Sequence, residues 1–413
     1  MAVRDPLQAA LAMLELDGVA ARMVLCPAAL DPAQIPHVIR EGGTDSAIVD
    51  RADSLDGIEG IDRRVTIDPG QLRASSSPQV SSAPTEWILL TSGTTSAPKL
   101  VRHRLATLTH ALAAPRPQEE PVVWGTFYDI RRYGGLQIFL RAVLQGSLVL
   151  ADPAEPVPAF LDRARAAHLT HISGTPSHWR KALMSGAADR IAPRYVRLSG
   201  EIADQAVLNA LRAAYPQAVV AHAFASTEAG VGFEVRDGLA GFPADLLDAP
   251  DGEVQLRVVD GTLRIRSGDN AEGYLGEDAP AFPRDSAGAV DTGDRIEVRA
   301  GRCYFLGRAG GVVNVGGFKV YPEEIEAVIN AHPCVRMSLV HARRNAITGA
   351  LVVADIVLAE EGAGASRPAP EALKRELLQN CRQSLAPYKV PAMIRIVPAL
   401  EVSASGKLVR PDA

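Results

Sequence analysis

The sequence has few cysteines, no long apolar run and no excess of positive charge. Its 413 residues include four scattered cysteines, Cys26, Cys303, Cys334 and Cys381, with no C-x-x-C spacing. This scatter favours free thiols in a reducing compartment over a disulfide framework or a zinc site. No stretch of 18 apolar residues is present, and the N-terminus lacks a basic start followed by an apolar segment. We therefore expect a cytoplasmic protein without a membrane span.

The charge balance and length narrow the class further. A formal net charge of −5 gives no general attraction to nucleic acid, so no nucleic-acid partner is expected. A hydrophobic content of 47% is ample for a globular protein. The length indicates two or three domains rather than one core.

Segments typical of strands and helices alternate over the first 250 residues. Helical spacing at 156–167 and 208–215 is followed each time by a short apolar strand, which predicts parallel sheets covered by helices. From Glu253 the pattern changes to short antiparallel strands, with turns predicted at Asp260-Gly261 and Ala300-Gly301. We thus predict an α/β protein with a parallel-rich N-terminal domain that includes a small β subdomain (1–308). A small, mobile α+β C-terminal domain (309–413) would follow.

The stretch WILLTSGTTSAPK, from Trp87 to Lys99, joins an apolar strand to a loop of small hydroxyl residues and glycine. Such a loop offers many backbone N–H and O–H donors in little space, which suits a polyphosphate. The spacing is not that of a P-loop. On this stretch alone, a solvent-exposed Ser/Thr turn with a lysine is an equally good interpretation.

Four further motifs follow in order: FASTEAG (224–230), DTGD (291–294), GRAGGVVNVGGFKVYPEEIE (307–326) and SASGKLVR (403–410). Together with the hydroxyl-rich loop, they resemble the acyl-adenylate-forming superfamily of AMP-binding enzymes. That superfamily contains acyl- and aryl-CoA synthetases, peptide-synthetase adenylation domains and firefly luciferase. The resemblance extends from Trp87 to Arg410, and the shared order makes it specific although each motif alone is weak.

The resemblance implies an ATP site and assigns a role to each matching residue. The phosphate loop would consist of Thr91, Ser92, Gly93, Thr94, Thr95 and Lys99. Around adenine and ribose it implies Ser199, Gly200, Glu201, Phe224, Ala225, Ser226, Asp294 and Arg308. Phe224 would stack on adenine, and Asp294 would accept hydrogen bonds from the ribose hydroxyls. The catalytic residues would be Thr227 on a phosphate oxygen, Glu228 on Mg²⁺ and Lys407 between the substrate carboxylate and the α-phosphate.

The chemistry of adenylation accounts for these residue types. Attack of a carboxylate on an α-phosphate brings two anions together, so Lys407 and Mg²⁺ would neutralise charge, and no covalent nucleophile is required. The histidines are interpreted as structural, with His222 the best exception. Taken singly, Asp294 could cap a turn, Glu228 could begin a helix and Lys407 could be an exposed tail residue; their joint occurrence favours the site.

The acid pocket is the least readable part of the sequence. The candidates are Tyr128, Asp129, Arg131, Gly230, Val231 and Gly232. By its spacing to Gly146, Arg131 stands about where the family often has a histidine, and a buried arginine there could pair a second carboxylate. The alternative is that Arg131 and Arg132 face solvent, an interpretation favoured for Arg132. Asp129 could hold an amino group, although it does not align with the residue that does so in amino-acid adenylation domains.

Three departures from the family pattern stand out. Ser96 and Leu100 replace residues that are usually, or often, glycine. The hinge position is Gly310, beside Gly311, where the family usually has Asp or Lys. Only 90 residues precede Thr91. This leaves a pocket that is more open, or one that a second copy of the chain completes in a homodimer.

The sequence therefore predicts ATP- and Mg²⁺-dependent activation of a small carboxylic acid, followed by transfer to CoA. Gly316, Gly317 and Lys319, in the strand that the family turns into the site, would serve the second step. One alternative is a ligase that delivers the acyl group to a carrier protein or an amine. A non-catalytic nucleotide-binding relative is the third hypothesis, and Glu228, Asp294 and Lys407 argue against it.

Overall fold

The computed structural model describes most of the chain. The described residues are 1–51, 55, 57–71, 84–91, 97–112, 121–152, 155–249, 252–315, 317–345, 349–359, 368–403 and 406–410. In this part of the chain, no helix is both long and apolar enough to span a bilayer.

The α-helices are α1 (Pro6–Leu16), α2 (Ile35–Gly42), α3 (Leu105–Thr109), α4 (Tyr133–Gln145), α5 (Val157–Ala166), α6 (Pro176–Met184), α7 (Gln205–Ala214), α8 (Pro322–Asn330) and α9 (Pro370–Ser384). Two of them begin with a cap that matters for the site. Thr175 accepts a hydrogen bond from the His178 N–H at the start of α6, and Asp204 accepts one from the Val207 N–H at the start of α7.

The strands are β1 (Arg22–Leu25), β2 (Ser46–Ile48), β3 (Arg63–Val65), β4 (Glu86–Thr91), β5 (Lys99–Arg104), β6 (Val122–Thr126), β7 (Gly146–Val149), β8 (His171–Gly174), β9 (Tyr195–Ser199), β10 (Val219–Ser226), β11 (Gly230–Val235), β12 (Phe242–Pro243), β13 (Gln255–Val259), β14 (Thr262–Arg266), β15 (Gly273–Leu275), β16 (Val290–Arg299), β17 (Arg302–Arg308), β18 (Val313–Val315), β19 (Phe318–Val320), β20 (Val335–Asn345), β21 (Gly349–Leu358) and β22 (Met393–Ile396).

A six-stranded sheet in the order β11-β10-β9-β8-β6-β7 forms the centre of the described structure. Its strands are parallel except for β11, which returns antiparallel to β10. Helices α5, α6 and α7 contribute buried side chains to the core beside it, with Trp179 fully buried. The predicted parallel-rich α/β fold is confirmed, because parallel strands linked by helices must be covered to bury their apolar faces.

Two other sheets flank the central one. A four-stranded sheet, β1-β4-β5-β15, carries the strands on either side of the hydroxyl-rich loop. The predicted β region is an antiparallel five-stranded sheet, β12-β17-β16-β14-β13. Its hairpins turn at the two predicted dipeptides, where Asp260 and Ala300 have positive φ of 51° and 48° and each is followed by a positive-φ glycine. Two consecutive positive φ values are typical of a two-residue turn that matches strand twist.

The C-terminal part has its own core. Strands β20-β21-β22 form a sheet against which α8 and α9 bury Ile325, Ile329, Leu373 and Leu377. The two-stranded ribbon β18-β19 contributes Val320 to the same core. This is the α+β arrangement that the sequence predicts after residue 309.

One buried ion pair corrects the expected acid pocket. Arg131 is 1% exposed, and its Nε donates to Asp129 Oδ1 at 2.7 Å. A terminal nitrogen of its guanidinium donates to the Val3 carbonyl, and the other Asp129 oxygen accepts from the Ala28 N–H at 2.9 Å. Arg131 and Asp129 therefore neutralise each other and tie the N-terminal segment to the loop after β6. Both residues were expected to contact a substrate. These bonds within the protein leave neither of them free to do so.

Replacing Arg131 by Met should reduce the free energy of unfolding by about 3–5 kcal/mol, because the buried Asp129 charge would lose its partner. Urea denaturation measures the change. The control is Arg190→Met, since the Arg190–Asp162 pair is exposed and its loss should cost less than about 1 kcal/mol. Equal losses in the two variants would contradict a structural role for the buried pair.

Candidate active site

The strands β4 and β5 hold the two ends of the hydroxyl-rich loop together. Thr91 and Lys99 face each other in the register of this hairpin. Ser92, Gly93, Thr94 and Thr95, which the resemblance assigns to the phosphates, lie outside the described residues. Lys99 Nζ stands 4.9 Å from the centre of the Tyr274 ring on the neighbouring β15, so the loop ends beside an aromatic face.

Glu228, in the turn between β10 and β11, is positioned by a tyrosine. The Tyr274 hydroxyl donates to Glu228 Oε1 at 3.1 Å. Burial, and then the Glu228 charge, raise the pKa of Tyr274, so the phenol stays protonated and donates this bond. The carboxylate keeps a second oxygen for another partner.

Thr227 is tied to β5 by a buried histidine. His103 is fully buried, and its Nε2 lies 2.7 Å from the Thr227 carbonyl oxygen. Burial lowers the pKa of His103 to about 4, so the ring is neutral and donates from Nε2. His103 thus links the turn at Glu228 to the four-stranded sheet, which agrees with the expected structural role.

Asp294 and Arg308 stand opposite each other on β16 and β17. Arg308 Nε lies 3.4 Å from Asp294 Oδ1, and a terminal nitrogen donates to the Thr292 carbonyl at 3.0 Å. Burial raises the pKa of Asp294, while Arg308 and Lys407 oppose the shift. The turn-capping alternative does not describe Asp294, because it is Asp291 whose carboxylate accepts the Gly293 N–H at 2.9 Å.

The C-terminal motif lies against α6 and the end of β9. The Thr175 hydroxyl donates to the Gly406 carbonyl at 2.6 Å, and the Leu408 N–H donates to Glu201 Oε1 at 3.1 Å. Gly406 has a positive φ of 75°, and a β-carbon there would overlap the His178 ring. Only glycine fits this close approach, so the motif is held on both sides of Lys407.

Lys407 itself extends into an open cleft. Its side chain is exposed to solvent at the cleft mouth, while the surrounding walls reduce its hydration and lower its pKa. Arg308 and Arg132 add to this lowering, and Glu201 and Asp294 oppose it. A β-carbon at Gly200 would lie 3.8 Å from Lys407 Cε. An anion bound in the cleft would favour the charged ammonium.

Phe224 belongs to a cluster of aromatic rings. Its ring is nearly parallel to the Phe305 ring at a centroid distance of 5.3 Å, and the centre of the Phe233 ring lies 5.9 Å away. The cluster fixes the ring beside Ala225 and Ser226 at the end of β10. Stacking of Phe224 on adenine stays a prediction.

Tyr128 lies between the loop after β6 and the end of β9. Its hydroxyl donates to the Ser199 carbonyl at 2.6 Å and lies 4.0 Å from the position of a β-carbon at Gly200. Since Gly200 also borders Lys407, the structure brings Tyr128, Ser199, Gly200 and Lys407 together.

The first three residues of β11, expected to line the acid pocket, pack closely against neighbouring residues. A β-carbon at Gly230 would overlap Asp269, and one at Gly232 would lie 2.7 Å from Ile265. Val231 is buried in an apolar cluster with Ile130 and Tyr133. These contacts occupy one side of each residue, and their contribution to an acid pocket stays a prediction.

Arg132 was expected to face solvent, and it is only partly exposed. The residue is half-buried at the start of α4, and burial lowers the pKa of its guanidinium. Its charge contributes to the lowered pKa of Lys407. Of the two adjacent arginines, Arg131 is the fully buried one and Arg132 is partly exposed.

The residues expected for the second step lie away from Lys407 in the chain and are exposed. Gly317 and Lys319 belong to the β18–β19 ribbon, and Gly316 lies outside the described residues. Gly310 is part of a short 3-10 turn, Ala309–Gly311, and nothing lies within 4 Å of a β-carbon placed there.

Sequence reasoning missed Thr175 and Tyr274. The Thr-Pro pair at 175–176 is a readable helix-start signal, but it does not indicate that the same hydroxyl holds Gly406. The contact of Tyr274 with Glu228 spans 46 residues and follows from the arrangement of two sheets. Neither the contact of Thr175 with Gly406 nor that of Tyr274 with Glu228 has a local sequence signature.

The oxygen donors of the site suit a metal ion that is bound partly by the protein and partly by a substrate phosphate. In the described part of the chain, no group of three or more His, Cys, Asp and Glu side chains could hold a metal ion. Glu228 offers one carboxylate oxygen beside the loop ends. Mg²⁺ is commonly held by one or two carboxylates together with substrate phosphates, so Glu228 fits such an ion.

Comparison with known proteins agrees with this geometry. Residues 8–275 match the family model described as AMP-binding enzyme, and residues 324–407 match the AMP-binding enzyme C-terminal domain. A probable 2-succinylbenzoate–CoA ligase of Mycobacterium tuberculosis is 28% identical over 321 residues, covering 73% of this chain and 78% of that protein. The mitochondrial acyl-coenzyme A synthetase ACSM5 of Mus musculus is 37% identical over 120 residues, 29% of this chain and 20% of the mouse protein.

Solved structures share the fold at low identity. The amide bond synthetase McbA from Marinactinospora thermotolerans has a TM-score of 0.79 and 19% identity, covering 98% of this chain and 87% of that one. The anthranilate CoA ligase AuaEII in complex with anthranoyl-AMP has a TM-score of 0.72 and 20% identity, covering 98% and 88%. The first family model alone spans well over half of the sequence. The chain therefore belongs to the AMP-binding enzyme family of the adenylate-forming superfamily.

Proposed function

We propose that this protein uses ATP to convert a carboxylic acid to an acyl-adenylate and then transfers the acyl group to CoA. The observation that supports it best is the position of Lys407. The bonds at Gly406 and Leu408 hold this lysine in the cleft that Asp294, Arg308 and Glu201 border. The names of relatives, which include 2-succinylbenzoate–CoA ligase and acyl-coenzyme A synthetase, agree with a CoA ligase.

In the first step, a carboxylate oxygen of the acid attacks the α-phosphorus of ATP. The bond from that phosphorus to the bridging oxygen breaks, and pyrophosphate leaves. Lys407 would lie between the two anions and stabilise the charge that develops on the phosphoryl oxygens. Asp294 would accept hydrogen bonds from the ribose, and the Thr91–Lys99 hairpin would hold the loop on the outer phosphates.

Magnesium would supply positive charge to the phosphates when it is bound at Glu228. The Tyr274 hydroxyl would keep that carboxylate aimed at the ion, and His103 would hold the neighbouring Thr227 backbone. Both are positioning residues, since they act through Glu228 and Thr227.

The second step would need a different orientation of residues 309–413. Gly317 and Lys319 are exposed in the orientation described, whereas Lys407 lies beside Gly200. Rotation at Gly310 would exchange them and complete a CoA site. A carrier protein or an amine as acceptor is the alternative, and a product assay with each acceptor distinguishes them.

Lys407→Ala should reduce ATP–pyrophosphate exchange about 10²- to 10³-fold, the usual effect of removing one group that stabilises transition-state charge. Thioester formation from a supplied acyl-adenylate should be nearly unchanged. Lys374→Ala, which removes a half-buried lysine of α9 that pairs with Glu371, is the control. Equal loss in both half-reactions would contradict the role proposed for Lys407.

Tyr274→Phe should raise the Mg²⁺ concentration for half-maximal exchange roughly three- to tenfold, because Glu228 loses a hydrogen bond that contributes about 1 kcal/mol. A magnesium titration at saturating ATP measures this. Tyr304→Phe makes the same chemical change on β17, outside the contacts of Glu228, and should leave the midpoint in place. An unshifted midpoint for Tyr274→Phe would show that the tyrosine does not position the carboxylate.

Gly310→Pro should keep pyrophosphate exchange while thioester output falls, because proline fixes φ near −65° and cannot follow a rotation at this residue. Gly310→Ala adds a side chain into open space and serves as the control. Folding of both variants is checked by circular dichroism. Thioester formation at the wild-type rate by folded Gly310→Pro would rule out this residue as the hinge.

A further inference from the structure

Arg410 binds the end of the C-terminal motif to helix α8. Its guanidinium donates to Glu326 Oε1 at 2.6 Å, to Glu326 Oε2 at 2.9 Å and to Glu323 Oε1 at 3.0 Å. A further bond, 2.6 Å long, runs to the Val340 carbonyl on β20. Hydrogen bonds between a guanidinium and a carboxylate are roughly twice as strong as neutral ones. This end of the motif is therefore firmly attached to the C-terminal part of the protein.

Helix α8 is itself fixed in the C-terminal core, where Ile325 and Ile329 are buried. Glu323 and Glu326 stand three residues apart on this helix, and two like charges at that spacing repel each other. Glu326 is buried and Glu323 is half-buried, so water screens their charges poorly. Arg410 neutralises both carboxylates at once. We call these three charged residues the Arg410 cluster.

Lys407 lies three residues before Arg410, and the chain around it folds back on itself. The Ser403 N–H donates to the Lys407 carbonyl at 2.8 Å, and the Val409 N–H donates to the Glu401 carbonyl at 3.1 Å. Three residues span at most about 11 Å when fully extended. A fixed Arg410 therefore limits the positions that Lys407 can reach.

The Arg410 cluster also lies against the strand that leads to Gly310. Gly307 has a positive φ of 139°, and a β-carbon there would overlap the Glu323 carboxylate. Gly307 immediately precedes Arg308, which stands opposite Asp294 in the register of β16 and β17. The cluster therefore borders the end of β17 as well as the C-terminal core.

The hydrogen bonds near Lys407 reach different parts of the protein. Those at Gly406 and Leu408 reach Thr175 and Glu201, which precede residue 309. The side-chain bonds of Arg410 reach only residues 323–340, which follow it. The proposed rotation of residues 309–413 would break the first set of bonds and leave the second set intact.

We propose that Arg410 is a positioning residue for adenylation. By holding the Lys407 segment on α8, it makes this segment a rigid piece of the C-terminal part, so that the lysine enters and leaves the cleft together with the helix. The inference rests on the proposed adenylating function. It adds to that function the residue that carries Lys407, and Arg410 would act through the lysine and not on the reactants themselves.

The test compares Arg410→Met with Lys389→Met, which removes a second cation bound to α8. Lys389 Nζ donates to both carboxylate oxygens of Glu324 at 2.7 Å, so the two variants make similar changes on one helix. Arg410→Met should lower the maximal rate of ATP–pyrophosphate exchange about ten- to a hundredfold, while the KM for ATP stays within about twofold. Thioester formation from a supplied acyl-adenylate should be nearly unchanged. Arg410→Lys should recover part of the exchange rate, and Lys389→Met should keep both rates.

Hydrogen–deuterium exchange measures the attachment without any reaction. The amides of residues 406–410 should exchange at least about tenfold faster in Arg410→Met, and at the wild-type rate in Lys389→Met. Thermal unfolding shows whether each variant is folded. If Arg410→Met does not fold because its carboxylates are unpaired, Glu323→Gln and Glu326→Gln are added to it. This combined variant removes the link without leaving buried charge, and the same results are expected of it.

Unchanged maximal exchange or unchanged amide protection in a folded Arg410→Met variant would overturn the inference, because Lys407 would then need no anchor on α8. Equal loss in both half-reactions would assign Arg410 to folding alone. A raised KM for ATP at an unchanged maximal rate would assign it to nucleotide binding. Wild-type protein without pyrophosphate exchange for any acid would instead contradict the proposed function, and faster amide exchange in Arg410→Met would still support the anchor.

Discussion

The site depends on the contact of one glycine with one helix start. Gly406 approaches α6 so closely that its carbonyl meets the Thr175 hydroxyl and its α-carbon meets the His178 ring. This contact carries Lys407 into the cleft, since residues 406 and 408 are both held by hydrogen bonds. Without it, Asp294 and Arg308 would lack the neighbouring lysine to which we assign charge stabilisation in the proposed adenylation. Burial lowers the pKa of His178 to about 3, so the ring stays neutral and packs as an apolar surface.

Around this contact, each of the three sheets carries a different group of site residues. The four-stranded sheet presents the ends of the hydroxyl-rich loop, the central sheet presents Thr227, Glu228 and Gly200, and the antiparallel sheet presents Asp294 and Arg308. Apart from Asp294, which lies within β16, each group stands at the end of a strand or in the turn that follows, so its backbone is held by the sheet. Buried links such as the bond from His103 to Thr227 keep the sheets in register with each other.

The sequence predicted the parts that have a local signature. Alternating strands and helices, the dipeptide turns at Asp260-Gly261 and Ala300-Gly301, and the order of the motifs all depend on near neighbours in the chain. The acid pocket was predicted poorly because it depends on burial. Two adjacent arginines look alike in the sequence, yet Arg131 is buried in the core against Asp129 and Val3, while Arg132 stays partly exposed. Glycines 230 and 232 suggested space, but they are needed because Asp269 and Ile265 pack against them.

The bond between Asn330 on α8 and Asp204 at the start of α7, 3.2 Å long, joins the C-terminal part to the central sheet in the same manner as Gly406 and Leu408. All three links are polar, and a single hydrogen bond contributes about 0.5–1.5 kcal/mol net, because water replaces it when it breaks. Separating surfaces that meet through polar groups exposes little apolar area to water, so the hydrophobic free energy lost is small. The second arrangement proposed for the C-terminal part would then differ little in free energy from this one, and the molecule bound at the site would decide which arrangement prevails. The proposed exchange between the two orientations would then need no separate energy source, since binding and release of the reactants would be enough to shift the equilibrium.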